Sequence, residues 1–413
     1  MDEVRYSGYR WFILCIGWAL FVMMGFNHTI IAARAVELTA FLGIDKVQYG
    51  LIYSGAALAP IVLALVGGVL GDRYGVRWVV GIGAVVATVG ALLRLSATSF
   101  APFFVYMVLM GIGGGVVAPN LPKMVAQWFP PRQVAIATGI YMTAAGLGLA
   151  LGLALGALFG TWQDAVLVTG VIFAASTIAW LVFVRDRPKG FKIGGHEVLG
   201  VPFKEGLGRA VRSRNMWWVS ASYLLVMGVI MAYVGSLPLF LQETRGASLG
   251  ASNLLAALAV LGFIFGSVFW ALMSHRIGVV KPIYMVCMVL AGVTGFLTWL
   301  TAPGITSWCL AFLPGFFMGA GPTLIMMLPV HLPEFGPRYA ANAGGILSAI
   351  HHIGSFVYLP YLYMPIWNAF GYWAASSFLV VSLVVGAVLY WPVVETGRKA
   401  REKREAEKGA ASG

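Results

Sequence analysis

Apolar residues dominate this chain for twenty or more positions at a time, and each such stretch closes on a short polar segment. A helix needs about that length to cross the ~30 Å hydrocarbon layer of a bilayer. The pattern predicts spans at 11–33, 48–70, 78–98, 102–126, 134–160, 164–184, 216–241, 250–273, 282–301, 305–329, 340–366 and 370–392. The expected fold class is therefore an all-α membrane protein of twelve transmembrane helices. One long polar stretch interrupts the series, from Arg185 to Asn215, and it carries eight basic residues with Gly and Pro. It divides six spans from six, so the expected organisation is a bundle at 1–184, a linker at 185–215, a second bundle at 216–395 and a basic tail at 396–413.

Composition agrees and narrows the choice. Of 413 residues, 60% are hydrophobic and 10% charged, too few charges to cover a water-facing surface. Gly occurs 52 times, as expected where helices approach closely. The net charge of +12 would suggest nucleic acid in a soluble chain, but here the charges sit between spans and set orientation. Alternating sides puts 23 of the 27 Lys and Arg together, against Arg34, Lys46, Arg94 and Arg245 opposite. Both termini and the linker are then cytoplasmic, in a prokaryotic inner membrane. The first span, near 11–33, exceeds the ~7–15 residues of a signal-peptide core and reads as a retained helix. Cys15, Cys287 and Cys309 lack metal or redox spacing and read as small core residues.

The halves repeat. PRQVAIATGI at 131–140 and PRYAANAGGI at 337–346 agree at six of ten positions, at an offset of 206 residues. Each stands between the fourth and fifth span of its half. Arg73-Tyr74-Gly75 and Arg276-Ile277-Gly278 echo one another at an offset of 203. Parallel repeats of this kind belong to transporters that hold their solute near the midplane, at the repeat interface.

The segment GGVLGDRYGVRW, from Gly67 to Trp78, resembles the loop signature Gly-x-Leu-Ala-Asp-Arg-x-Gly-Arg-Lys of the major facilitator superfamily. Gly67 or Gly68, Asp72, Arg73, Gly75 and Arg77 carry the match. The resemblance implies that family's fold, two pseudo-symmetric six-helix bundles around a central cavity, and alternating access by rocking of the halves. It makes Asp72, Arg73, Gly75 and Arg77 a conformational latch on the cytoplasmic face, weaker in the second half, where His275 replaces the acid. NLPKMVAQWFPPR and LPEFGPRYAANAGG resemble the branch of cyanate, nitrate and small organic-anion porters. The fourth span reads VYMVLMGIGGG where many proton-coupled members carry an arginine before the glycine at 111. A coupling step built on that arginine is not expected here.

Polar groups at membrane depth are costly and mark function. No Asp or Glu falls near the middle of a predicted span, which speaks against an acid-built sodium site and against strongly cationic solutes. The ionisable groups left there are His28, after Asn27, and the pair His351-His352. Imidazole can donate to an anion when charged and release a proton when neutral. These three histidines are the expected proton carriers, and with Asn27, Tyr53, Asn120, Tyr141 and Tyr233 the expected solute contacts. Adjacent helix positions diverge by ~100°, so one of His351 and His352 is expected to face the pathway and the other to pack. Each histidine also reads as a hydrogen-bonded structural residue between helices. Lys123, three residues after Asn120, either attracts an entering anion or snorkels to the headgroups. Glycines at 146, 148, 152 and 156 suit a close helix contact, either a rocking interface between halves or a tight static pair.

No phosphate loop, nucleophile elbow or metal cluster is legible, so neither an enzyme nor a cofactor is expected. The expected function is secondary transport of a small organic or inorganic anion, monocarboxylate-like, as proton symport by a monomer in membrane lipid, with no nucleic-acid partner. The alternatives are an exporter or facilitator of neutral amphipathic compounds and a receptor or scaffold that transports nothing.

Overall fold

Helix follows helix through the computed structural model, which describes residues 8–186, 203–301, 305–332 and 334–412, and no strand occurs among them. The first half contains α1 (Tyr9–Ala33), α2 (Ala35–Leu42), α3 (Lys46–Gly55), α4 (Pro60–Tyr74), α5 (Val76–Leu93), α6 (Phe100–Trp128), α7 (Pro131–Leu155) and α8 (Trp162–Phe183). The second contains α9 (Phe203–Arg212), α10 (Arg214–Arg245), α11 (Leu249–Ile277), α12 (Lys281–Leu300), α13 (Ile305–Met318), α14 (Ala320–His331), α15 (Gly336–Tyr358), α16 (Met364–Tyr390) and α17 (Arg398–Ser412).

Among the described residues, eleven helices are long and apolar enough to span a membrane, and each lies within a few residues of an expected span. The eleventh, Asn342–Tyr390, takes in the last two expected spans. Its 49 residues at ~1.5 Å each come to ~74 Å, enough for two crossings of ~30 Å. Gly371, at φ 81° and ψ 173°, breaks it two residues past the expected gap at 367–369. The second span is also broken: α3 ends at Gly55, and Ala57 and Leu58 make tighter backbone bonds to Ser54 and Gly55. Pro60 then opens α4 at the first helical position, where a missing N–H costs nothing.

Two compact units divide the chain. One comprises Met1–His196, Tyr233–Ala257 and Leu359–Pro365, the other Glu197–Ala232, Leu258–Tyr358 and Ile366–Gly413. In the first, α1 and α7 run in backbone contact. A Cβ on Gly25 would stand 2.9 Å from the Ala145 carbonyl oxygen, and Thr29 Oγ1 donates to the Leu149 carbonyl at 2.8 Å. Gly148 meets Val22 and Gly152 meets Phe26 and Thr29, so the small residues of the fifth span close on the first span of the same half. Also within the first unit, Tyr49 donates to the Gly235 carbonyl at 2.6 Å, and Lys46 pairs with Glu243 at 2.9 Å.

The repeat read from sequence recurs as one capping device in each unit. Gly75, at φ 87°, turns the chain into α5, and the Asp186 carboxylate accepts from the Arg77 N–H at 2.7 Å. Gly278, at φ 82°, does the same before α12, where Glu395 accepts from the Val280 and Lys281 N–H groups, both at 2.9 Å. Each carboxylate meets the positive end of a helix dipole and satisfies donors that the helix itself cannot.

Two expectations need correction. Arg94, counted as a loop charge, is fully buried in the turn after α5. Of the cysteines only Cys287 is a core residue, because Cys15 and Cys309 are exposed on their helices. Arg5 and residues 187–202 of the expected linker lie outside the described residues. From Phe203 that linker is helical rather than irregular.

Candidate functional site

The interior of the first unit is organised around Asn27 and Arg94. Arg94 Nη1 donates to the Asn27 carbonyl at 2.8 Å and Nη2 to Asn27 Oδ1 at 2.9 Å. Nε donates to the Ala91 carbonyl at 2.9 Å, and Met107 Sδ lies 3.8 Å from Nη1. Four of the five guanidinium donors are thus engaged by neutral acceptors, which is how a buried cation persists without a carboxylate. The Asn27 amide nitrogen donates to the Met23 and Thr169 carbonyls at 3.0 and 3.3 Å. Asn27 is completely buried, and its side chain ties α1, the turn after α5, and α8 together.

One residue further on, His28 takes a different setting. Its Nε2 lies 3.0 Å from the Tyr53 carbonyl, and the two rings sit 4.6 Å apart. A carbonyl only accepts, so Nε2 carries the hydrogen, and Nδ1 is the acceptor of the neutral ring. Tyr53 also stacks on Tyr49 at 6.3 Å, and its ring lies against Gly235, where a side chain would collide. Tyr141 on α7 and Tyr233 on α10 are both buried. Of the expected solute contacts in this unit, His28 and Tyr53 are brought into direct contact.

Toward the end of α4, the loop-signature residues meet α6. The Asn120 side chain donates to the Gly67 carbonyl at 2.8 Å and to the Val116 carbonyl at 2.7 Å. A Cβ at Gly71, where the family signature has alanine, would overlap Asn120 Oδ1. Lys123 Nζ is 2.5 Å from both the Gly68 carbonyl and Asp72 Oδ1, so the expected entry cation and the expected latch acid form one pair. Arg73 is exposed beside the Tyr74 ring, at 5.3 Å. Arg77 donates to the Leu181 carbonyl at 2.6 Å and accepts at its own carbonyl from Trp180 Nε1 at 2.9 Å. The signature thereby binds α4 and α5 to α6 and α8.

In the second unit, His351 and His352 stack face to face, with centroids 4.6 Å apart and planes inclined by 11°. The two rings thus lie parallel although their positions on the helix diverge by ~100°. The Tyr223 ring stands edge-on to His351 at 5.8 Å. Tyr223 is fully buried, as are Ser222 and Tyr284, whose hydroxyls lie 2.7 Å apart.

Sequence reasoning missed Arg94, Asp186, Tyr49 and the Lys46–Glu243 pair. Arg94 had one available signal: it is flanked by Leu92, Leu93 and Leu95 rather than by polar loop residues. Among the described residues no carboxylate is buried, and no cluster of His, Cys, Asp and Glu could hold a metal ion.

The chain is 24% identical over 362 residues to a protein of Cupriavidus necator named as a probable sulfoacetate transporter, covering 82% of this chain and 83% of that one. It is 22% identical over 418 residues to the hexuronate transporter of Escherichia coli K12, covering 95% of each. Its fold matches the crystal structure of a bacterial homologue of the human lysosomal transporter Spinster with a TM-score of 0.73, at 17% identity and over 94% and 96% of the two chains. The family model described as Major Facilitator Superfamily matches residues 15–359, and with the duplicated caps and the loop signature this establishes that the chain belongs to the Major Facilitator Superfamily.

Proposed function

We propose that this transporter carries a small organic anion, of the carboxylate or sulfonate class, by proton-linked alternating access. The observation that carries the reading is the sign of the buried charge. Arg34, which pairs with the partly exposed Glu37 at 3.1 Å, and Arg94, which has no acid partner, are the charged side chains buried among the described residues, and no Asp or Glu is itself buried with them. An interior of guanidinium, imidazole and tyrosine suits a negative solute and disfavours a cation. The relatives named for sulfoacetate and hexuronate transport support the same class, since both solutes carry acid groups ionised at neutral pH.

The proposed proton carriers are His28, His351 and His352, with Asn27, Tyr53, Asn120, Tyr141 and Tyr233 as further solute contacts or supports. Two imidazolium rings 4.6 Å apart would repel by about 4 kcal/mol at an effective dielectric of ~20. The stacked pair therefore holds at most one proton at a time. One proton with a monoanion such as glucuronate makes a neutral cargo, which an inward proton gradient can drive without opposition from membrane potential; a dianion such as sulfoacetate keeps one negative charge. Lys123 and its partner Asp72 stand on the route from the cytoplasm, and Asp72, Arg73, Gly75 and Arg77 stabilise one state of the rocking cycle. Both termini lie in the cytoplasm of a prokaryotic cell, the protein sits in the inner membrane, and it works as a monomer.

The test is uptake by the purified protein in liposomes. Labelled glucuronate and sulfoacetate should enter faster when the outside is made acidic, and His28→Ala and His351→Ala should lose that acceleration. Full acceleration in both variants removes the histidine mechanism. Transport of neutral amphipathic compounds, with no flux of either acid, removes the anion reading.

A further inference from the structure

The short helix α9, Phe203–Arg212, presents three different faces. Gly206 and Ala210 are buried, and Gly206 lets the Asn342 side chain of α15 come so close that a Cβ would collide with it. The polar face is held by the first turn of α15 and by the backbone just before it. Tyr339 donates to Glu205 Oε1 at 2.5 Å, and Arg209 lies 4.2 Å above the Tyr339 ring while donating to the Glu334 carbonyl at 2.8 Å. The third face remains open: Leu207 and Val211, one turn apart, are both exposed.

What lies beside this open edge identifies its occupant. Trp217, in the first turn of the α10 span, is exposed, and its Nε1 donates to the Val211 carbonyl at 2.9 Å. A tryptophan at the first turn of a span marks the headgroup level of the bilayer. The apolar edge of α9 is thus continuous with the lipid-facing surface of α10, at the depth where hydrocarbon gives way to headgroups. Arg212 and Arg214 are exposed beside it and have no carboxylate partner among the described residues. Apolar side chains on one edge, arginines on the next and a tryptophan at the junction make up the pattern of a helix lying in a membrane surface.

We propose that α9 rests in the membrane interface, with Leu207 and Val211 dipping among acyl chains and Arg212 and Arg214 binding the phosphates of anionic phospholipid. The assignment holds whatever the solute. Since α9 is fastened to Glu334, Tyr339 and Asn342, the lipid surface fixes the level of the first turns of α15, the helix that carries His351 and His352. Anionic lipid then acts on that helix through α9.

Single cysteines at 207, 208, 211 and 212, in a background of Cys15→Ala, Cys287→Ala and Cys309→Ala, can be spin-labelled in the full chain and placed in phosphatidylcholine vesicles containing phosphatidylglycerol. Collision with oxygen relative to collision with a water-soluble nickel chelate should be several-fold higher for labels at 207 and 211 than at 208 and 212. Equal ratios at all four positions overturn the proposal. Labels at 207 and 211 shielded from both reagents would mean a protein contact instead, and overturn it equally. With the unlabelled protein, spin-labelled phosphatidylglycerol should be immobilised more than spin-labelled phosphatidylcholine, and the double variant Arg212→Gln with Arg214→Gln should erase the difference. An unchanged preference in that variant refutes the assigned role of the arginines.

Discussion

The bond between Asn27 and Arg94 allows a quantitative test of how this interior tolerates a cation. In Asn27→Ala the guanidinium keeps the backbone carbonyl of residue 27 but loses Oδ1, its 2.9 Å acceptor. A charged donor left buried without a partner costs about 1.5–3 kcal/mol. In Arg94→Met the cation disappears and the amide of Asn27 keeps its bonds to Met23 and Thr169, so the loss should be about 1–2 kcal/mol. The double variant removes donor and acceptor together, and the shared bond is lost once rather than twice. It should therefore be more stable than additivity predicts by about 2 kcal/mol. Unfolding by sodium dodecyl sulfate in mixed micelles, followed by helical circular dichroism, gives the four free energies of the cycle. A coupling energy under about 0.5 kcal/mol would mean that Asn27 does not hold the guanidinium, and the reasoning fails.

Three further predictions concern smaller contacts. Gly71→Ala should lower the melting temperature in detergent because its methyl meets Asn120 Oδ1, and adding Asn120→Ala should restore part of the loss; a harmless single variant contradicts the packing. Asp186→Asn and Glu395→Gln should each destabilise by about 1 kcal/mol in the same denaturation assay, since each weakens a charged cap on a helix, and an effect in one half only would deny the duplicated device. Lys123→Met should cost under about 1 kcal/mol, because Asp72 at 68% exposure is well solvated, and a loss of several would show that the pair is sheltered.

Much of the fold is written in hydropathy because lipid leaves the backbone few options. Every N–H and C=O in the hydrocarbon layer must be bonded within the segment, so a long apolar stretch is read directly as a helix. The break at Gly371 was legible for the same reason, as a turn between two apolar runs. The break after Gly55 was not, since residues 56–59 are apolar and only Pro60 marks it. Arg94 escaped notice because a cation at the end of a span looks like one in a loop until its neighbours are known. Nothing local to position 94 specifies Asn27, which lies 67 residues earlier. His28 and the histidine pair were visible as residues, but the bond to Tyr53 and the parallel stacking depend on side-chain rotations that spacing does not determine. The caps supply the converse case. Gly75 and Gly278 stood out in the repeat, whereas Asp186 and Glu395, which those turns receive, are in no recognisable register with them.

The claim on which the functional account depends is that an interior with buried cations and, among the described residues, no buried acid selects a negative solute. The most direct test is a side-by-side uptake measurement in proteoliposomes under an inward proton gradient, with labelled glucuronate and its uncharged methyl ester. The account predicts accumulation of the acid and none of the ester. Accumulation of the ester without the acid would contradict it.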